Sequence, residues 1–84
     1  MKGVGPVVRA EFTIFPFVQA PDLPAYVQVA VDAARATGVR VDVGPLSSVI
    51  EGETDAVLDA IRAAQSAAFA AGATRFSLNV ETIP

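Results

Sequence analysis

Cysteine and histidine are both absent from this chain. Without cysteine there is no disulfide, no thiol nucleophile and no soft-metal site. Without histidine the commonest general base and the commonest metal ligand are missing. Basic residues are scarce as well: six Lys and Arg stand against nine Asp and Glu, a net charge of −3. Nucleic acid needs a basic face, so no nucleic-acid partner is expected. No apolar run approaches the roughly 20 residues of a membrane span. The opening Met1-Lys2-Gly3-Val4-Gly5-Pro6 lacks the apolar core of a signal peptide. These features predict a cytoplasmic protein with no membrane association. No Gly-rich phosphate loop, catalytic triad or metal motif stands in the chain.

What remains is apolar and small. Hydrophobic residues make up 52% of 84 positions. That length predicts one domain, residues 1–84, near the lower limit for independent folding. So much apolar surface in so short a chain points to a subunit interface, and hence to a homodimer or homotetramer.

Periodicity divides the chain into six elements. Val7 to Phe15 alternates as a strand, with Val8, Ala10, Phe12 and Ile14 on one face and Arg9, Glu11, Thr13 and Phe15 on the other. Pro16 and Pro21 bracket a loop. Leu23, Val27, Ala30, Val31 and Ala34 then recur at helical spacing. This predicts a helix over 22–37, capped by Asp22, with Pro24 in the first turn and Gly38 as the C-terminal stop. Val39 to Val43 and Ser47 to Glu51 read as two short strands joined at Gly44-Pro45, paired as a hairpin, with Gly52 closing the second. Thr54 is the expected cap of a second helix, whose stripe is Val57, Leu58, Ile61, Ala64, Ala68 and Phe69 and whose end is Gly72. Arg75 to Val80 alternates again, with Phe76, Leu78 and Val80 inward and Ser77, Asn79 and Glu81 outward. A weak internal echo relates Ala33–Arg40 to Ala67–Arg75.

The order β-α-β-β-α-β, made of two right-handed crossover units, predicts a ferredoxin-like α/β (α+β) sandwich. Four antiparallel strands form a sheet and both helices cover one of its faces. The Ala-rich helices are expected to lie close to the sheet. The other face, carrying Arg9, Glu11, Thr13, Phe15, Arg40, Asp42, Ser77, Asn79 and Glu81, is the expected subunit interface.

Candidate chemistry concentrates between Val43 and Glu53. Glu51, Glu53 and Asp55 could bind Mg²⁺ or Ca²⁺, but the preferred reading is that Glu53 and Asp55 favour the positive end of the second helix. Ser47 and Ser48 could hydrogen-bond a polar ligand or belong to a strand edge. Neither has a visible activating base, so nucleophilic catalysis is not expected. Glu11 among apolar neighbours wants a partner, either Arg9, Arg75 or a ligand. Gln65 is expected to bond a neighbour. Phe15, Phe17 and Tyr26 surround the first loop and could stack on a flat ring or simply fill the core.

Ala10-Glu11-Phe12-Thr13-Ile14-Phe15-Pro16, Gly44-Pro45-Leu46-Ser47-Ser48-Val49-Ile50-Glu51-Gly52-Glu53 and Ala67-Ala68-Phe69-Ala70-Ala71-Gly72-Ala73-Thr74-Arg75 together resemble the small thiamine-binding proteins of the YkoF-like type. The middle segment is the most specific of the three. The resemblance implies a ferredoxin-like fold, dimers through the sheets that often pair into tetramers, and non-catalytic binding of thiamine or its hydroxymethylpyrimidine portion, with no other cofactor. Gln65 stands where the family often has His. Within that resemblance, Ser47 and Ser48 are expected to contact the ligand, with Glu11, Thr13 and Asn79 on neighbouring strands. Two alternatives stand beside it. One is an oligomeric regulatory or assembly module that binds another small metabolite or a protein. The other is an acylphosphatase-like hydrolase, disfavoured because Phe15 to Pro24 contains no Arg to hold a phosphate.

Overall fold

The computed structural model describes residues 6–16 and 24–84. Their elements are β1 (Val7–Phe15), α1 (Ala25–Ala36), β2 (Val41–Val43), β3 (Ser48–Glu53), α2 (Thr54–Ala70) and β4 (Arg75–Thr82). The strands form one antiparallel sheet in the order β2-β3-β1-β4. This is the ferredoxin-like arrangement, with the hairpin between β2 and β3 as expected. β1 lies at the centre and pairs along its length with both β3 and β4.

The alternation of β1 is realised in full. Val8, Ala10, Phe12 and Ile14 are buried, while Arg9, Glu11, Thr13 and Phe15 are not. Val41 and Ile50 continue the buried row across the sheet. Phe12 stacks on Phe76 of β4, with ring centroids 5.1 Å apart and an interplanar angle of 11°. Ala30, Val31 and Ala34 of α1 and Val57, Ala60, Ile61, Ala64 and Ala68 of α2 close the core from above.

The alanines of both helices pack in one core with the strand residues, and the two helix backbones also approach each other closely. Small side chains at Ala30, Ala34, Ala60, Ala64 and Ala68 let the two backbones approach, and the larger Val31, Val57 and Ile61 fill the space above the strands. Leu58 and Phe69 do not join the stripe of α2. They are 47% and 48% exposed, because at 100° per residue they fall on the flank of the helix, away from the line of Val57, Ala64 and Ala68. Val80 is also exposed: it lies far along the edge strand, past Phe76 and Leu78, which pack against the core.

Both helices stop at the glycines expected. Gly38 and Gly72 have φ of 103° and 109°, a region open to glycine at little cost. The Ala73 N–H donates to the Ala68 carbonyl and the Gly72 N–H to that of Phe69, the two bonds of a Schellman stop. The helix starts differ from expectation. Asp22 lies outside the described residues, and Pro24, not in the first turn, holds the cap position of α1. α2 is capped by Glu53, whose carboxylate accepts from the Asp55 N–H, while the Thr54 hydroxyl donates to the Pro6 carbonyl at 2.7 Å. β2 begins at Val41 instead of Val39, β3 runs from Ser48 through Gly52 to Glu53, and β4 continues to Thr82.

Close helix contact predicts strong asymmetry between alanines of α2. Ala64→Leu, at a fully buried position, should lower stability by about 1–3 kcal/mol through overpacking. Ala70→Leu, at an exposed one, should change it by less than about 0.5 kcal/mol. Urea midpoints of the two variants check this.

Candidate functional site

The turn between β2 and β3 folds down onto the end of β1. Its Gly44 N–H donates to the Ser47 carbonyl at 2.8 Å, closing a tight turn with Pro45 at its second position. Two side chains of β1 then hold it. The Thr13 hydroxyl donates to the Leu46 carbonyl at 3.3 Å, and the Ser47 hydroxyl donates to Glu11 Oε2 at 2.6 Å. Both contacts span more than thirty positions in sequence.

Beneath the turn a pocket opens between β1, the start of α1 and the hairpin. Its empty volume is about 460 Å³, including the part open to solvent. Phe12, Ile14, Val27 and Val43 give it apolar walls, and Pro16, Pro24, Pro45 and Leu46 surround the mouth. Thr13, Ser47 and Ser48 are the hydroxyl-bearing residues of its lining. None of the described lining residues is charged. Val43 is 39% exposed at this wall.

Adjacent on the chain, Ser47 and Ser48 serve different surroundings. Ser48 pairs with Phe12 across β1 and β3, so its side chain lies on the helix-covered side and is only 5% exposed. No described group hydrogen-bonds its hydroxyl. Among the described residues no buried side-chain oxygen lacks a partner, so this hydroxyl keeps contact with solvent at the pocket wall. Ser47, one residue earlier, reaches the opposite side of the sheet, where Glu11 lies. Ser47 thus has a carboxylate partner that sequence spacing did not reveal. A carboxylate alone is a weak base toward a hydroxyl, and nucleophilic serines rely on an interposed imidazole, which this chain lacks.

Glu11 does not line the pocket and stands one hydrogen bond behind it. Its other oxygen is 3.6 Å from Arg9, which is also 3.8 Å from Glu51 and 3.8 Å from Glu81. These pairs are half-exposed, so each contributes well under about 1 kcal/mol. Arg9, and not Arg75, is therefore the basic partner of Glu11; Arg75 lies over the Phe15 ring at 4.7 Å. Asn79 is opposite Glu11 on β4, exposed on the open face, and does not line the pocket.

The other candidates fall elsewhere. Among the described residues no group of carboxylates is placed to hold a metal, and Glu51, Glu53 and Asp55 diverge to Arg9, the helix cap and the first turn of α2. Gln65 is half-buried on α2, has no hydrogen-bond partner among the described residues and lies away from the pocket. Tyr26 donates its hydroxyl to the Pro16 carbonyl. Phe17 lies outside the described residues. Phe12 was assigned only to the core by its alternation; the same ring also forms the pocket floor.

Residues 10–82 match the model of a family described as thiamine-binding protein. Among curated proteins none matches the chain. A domain of unknown function from Bacillus cereus is similar over 96% of this chain and 78% of its own, with 28% identity and a TM-score of 0.71. A hypothetical protein from Methanocaldococcus jannascii is similar over 94% of this chain and 80% of its own, with 23% identity and a TM-score of 0.68. A candidate thiamine biosynthesis or salvage protein from Thermotoga maritima covers 90% of this chain with 81% of its own, at 24% identity and a TM-score of 0.64. The likeness to these structures is one of fold.

Gly44 offers a test of how tightly the pocket roof is built. A Cβ there would stand 3.0 Å from the Ser47 carbonyl oxygen, closer than side chains normally approach backbone. Gly44→Ala should push the turn outward and lower stability by about 1 kcal/mol, measured as a shift of the urea midpoint at unchanged slope.

Proposed function

We propose that this chain, which belongs to the thiamine-binding protein family, binds thiamine or its hydroxymethylpyrimidine portion without transforming it. The role would be transport, salvage or buffering of the vitamin in the cytoplasm. Ser48 is the observation that carries the reading. Its hydroxyl, without a hydrogen-bond partner among the described residues, belongs to a pocket whose walls are mostly apolar or proline. A flat aminopyrimidine has two apolar faces for such walls and a polar edge for the Ser48 hydroxyl. The cationic thiazolium of thiamine suits a rim backed by Glu11 and a chain with a net charge of −3. Absence of His and Cys, together with a Ser47 bound only to a carboxylate, supports a binding role rather than catalysis.

Self-association belongs to the same proposal. The open face of the sheet carries half-buried Val49 and Phe15 beside Arg9, Glu11 and Asn79, and a second copy docked there would give a homodimer, with a homotetramer as the next step. Among the described residues no helix is long and apolar enough to cross a membrane.

Calorimetric titration with thiamine and then hydroxymethylpyrimidine tests the reading. Saturable heat is expected from both. Ser48→Ala should weaken both by about three- to tenfold, the worth of one hydrogen bond. Its effect on stability should stay within about 0.5 kcal/mol, since the hydroxyl it removes bonds nothing in the free protein. Absence of heat from folded wild-type protein with either compound overturns the assignment.

A further inference from the structure

Helix α1 is fixed unevenly along its length. Its C-terminal end is tied down several times. The Thr37 hydroxyl donates to the Ala34 carbonyl at 2.7 Å, the Gly38 N–H to the Arg35 carbonyl at 3.0 Å, and the Arg35 guanidinium to the Val41 carbonyl of β2 at 3.1 Å. Its first turn has no such support. Pro24 holds the cap position, and no side chain caps the N–H groups that a helix start leaves without intrahelical partners. This loosely held end is the one that lines the pocket, through Pro24 and Val27. On the β1 side the lining is Phe12, Thr13, Ile14 and then Pro16. Among the described residues one hydrogen bond ties these two sides together. Tyr26, in the first turn of α1, donates its hydroxyl to the Pro16 carbonyl. Tyr26 itself does not line the pocket, and its half-buried ring packs against the core.

We propose that Tyr26 is a positioning residue that sets the width of the pocket, and through it the size of ring the site accepts. The inference rests on the aminopyrimidine reading above and adds what limits the ligand. The core holds the Tyr26 ring, and its hydroxyl fixes how far the exit of β1 stands from the start of α1. With the bond made, the gap has one width before a ligand arrives, which lowers the ordering cost of binding. A ring that fits the gap touches both sides. A ring with one more methylene has to break the bond or give up one side. Without the bond the uncapped first turn yields, and the two rings are held nearly alike.

The experiment compares hydroxymethylpyrimidine with its homologue carrying ethyl in place of the ring methyl. Calorimetry is run on the wild type, Tyr26→Phe and Thr37→Val. Tyr26→Phe keeps the ring and removes the bond. Thr37→Val removes a hydrogen bond at the other end of α1 and controls for general loosening of the helix. The wild type should bind the methyl compound about tenfold more tightly, the usual worth of one methylene against a close wall. Tyr26→Phe should weaken the methyl compound and bring the ratio to about threefold or less. Thr37→Val should keep the wild-type ratio. The chain has one tyrosine, so carbon NMR of protein labelled at the tyrosine ring reads the same bond directly. The methyl compound should leave the resonance of the hydroxyl-bearing carbon in place, and the ethyl homologue should shift it. Equal affinity of the two compounds for the wild type, an unchanged ratio in Tyr26→Phe, or an equal fall in Thr37→Val overturns the role of Tyr26 and leaves pyrimidine binding intact. A resonance that stays in place with the ethyl homologue does the same. Failure of both compounds to bind folded wild-type protein removes the aminopyrimidine reading itself.

Discussion

Side chains leave a strand on alternate faces, and in β1 that constraint ties the core to the site. Phe12 and Ile14 point into the core, and Glu11 and Thr13 point away from it. Phe12, Thr13 and Ile14 line the pocket, and Glu11, outside it, anchors Ser47. A slip of one residue in the pairing of β1 would send every one of them to the wrong side. Burial of Val8, Ala10, Phe12 and Ile14 against two helices prevents that slip, so the packing that stabilises the fold also sets the geometry of the site.

The Gly44–Ser47 turn is a wall of the pocket that belongs to no helix or strand. Its two long-range anchors are side-chain hydrogen bonds, each worth about 0.5–1.5 kcal/mol. Leu46 at its tip is 64% exposed. Anchors of that size hold the turn in register without welding it to the sheet. The floor beneath it is rigid by comparison, because Phe12 is 1% exposed and stacked on Phe76.

Charge is arranged so that it stays outside the pocket. Arg9 sits among Glu11, Glu51 and Glu81 on the open face, and Arg40 bonds Asp42 on the edge strand. These screened, half-exposed pairs contribute little to stability. Their effect on the site runs through Glu11, which joins the acidic open face to a pocket hydroxyl. The cavity lining is neutral and partly apolar, with a carboxylate one hydrogen bond behind it.

How much of this could be read from sequence follows from the range of each interaction. Alternation in β1, the hairpin at Gly44-Pro45 and the positive-φ stops at Gly38 and Gly72 are properties of a few consecutive residues, and all were legible. The element order followed from them, and with it the ferredoxin-like fold. Helix starts were less legible, because Glu53 and Thr54 are both competent near a cap and only the backbone path chooses between them. Sequence by itself determined which residues alternate, where helices stop and which chemistries lack their groups. Tertiary structure alone decided that Leu58 and Phe69 face outward, that the helices lean on each other, and that Ser47 and Ser48 part to opposite sides of one strand. It alone brought Glu11 within 2.6 Å of a hydroxyl 36 positions away. The physical reason is register: a period of two says that side chains alternate, and only the burial of a complete core says which partner each one meets.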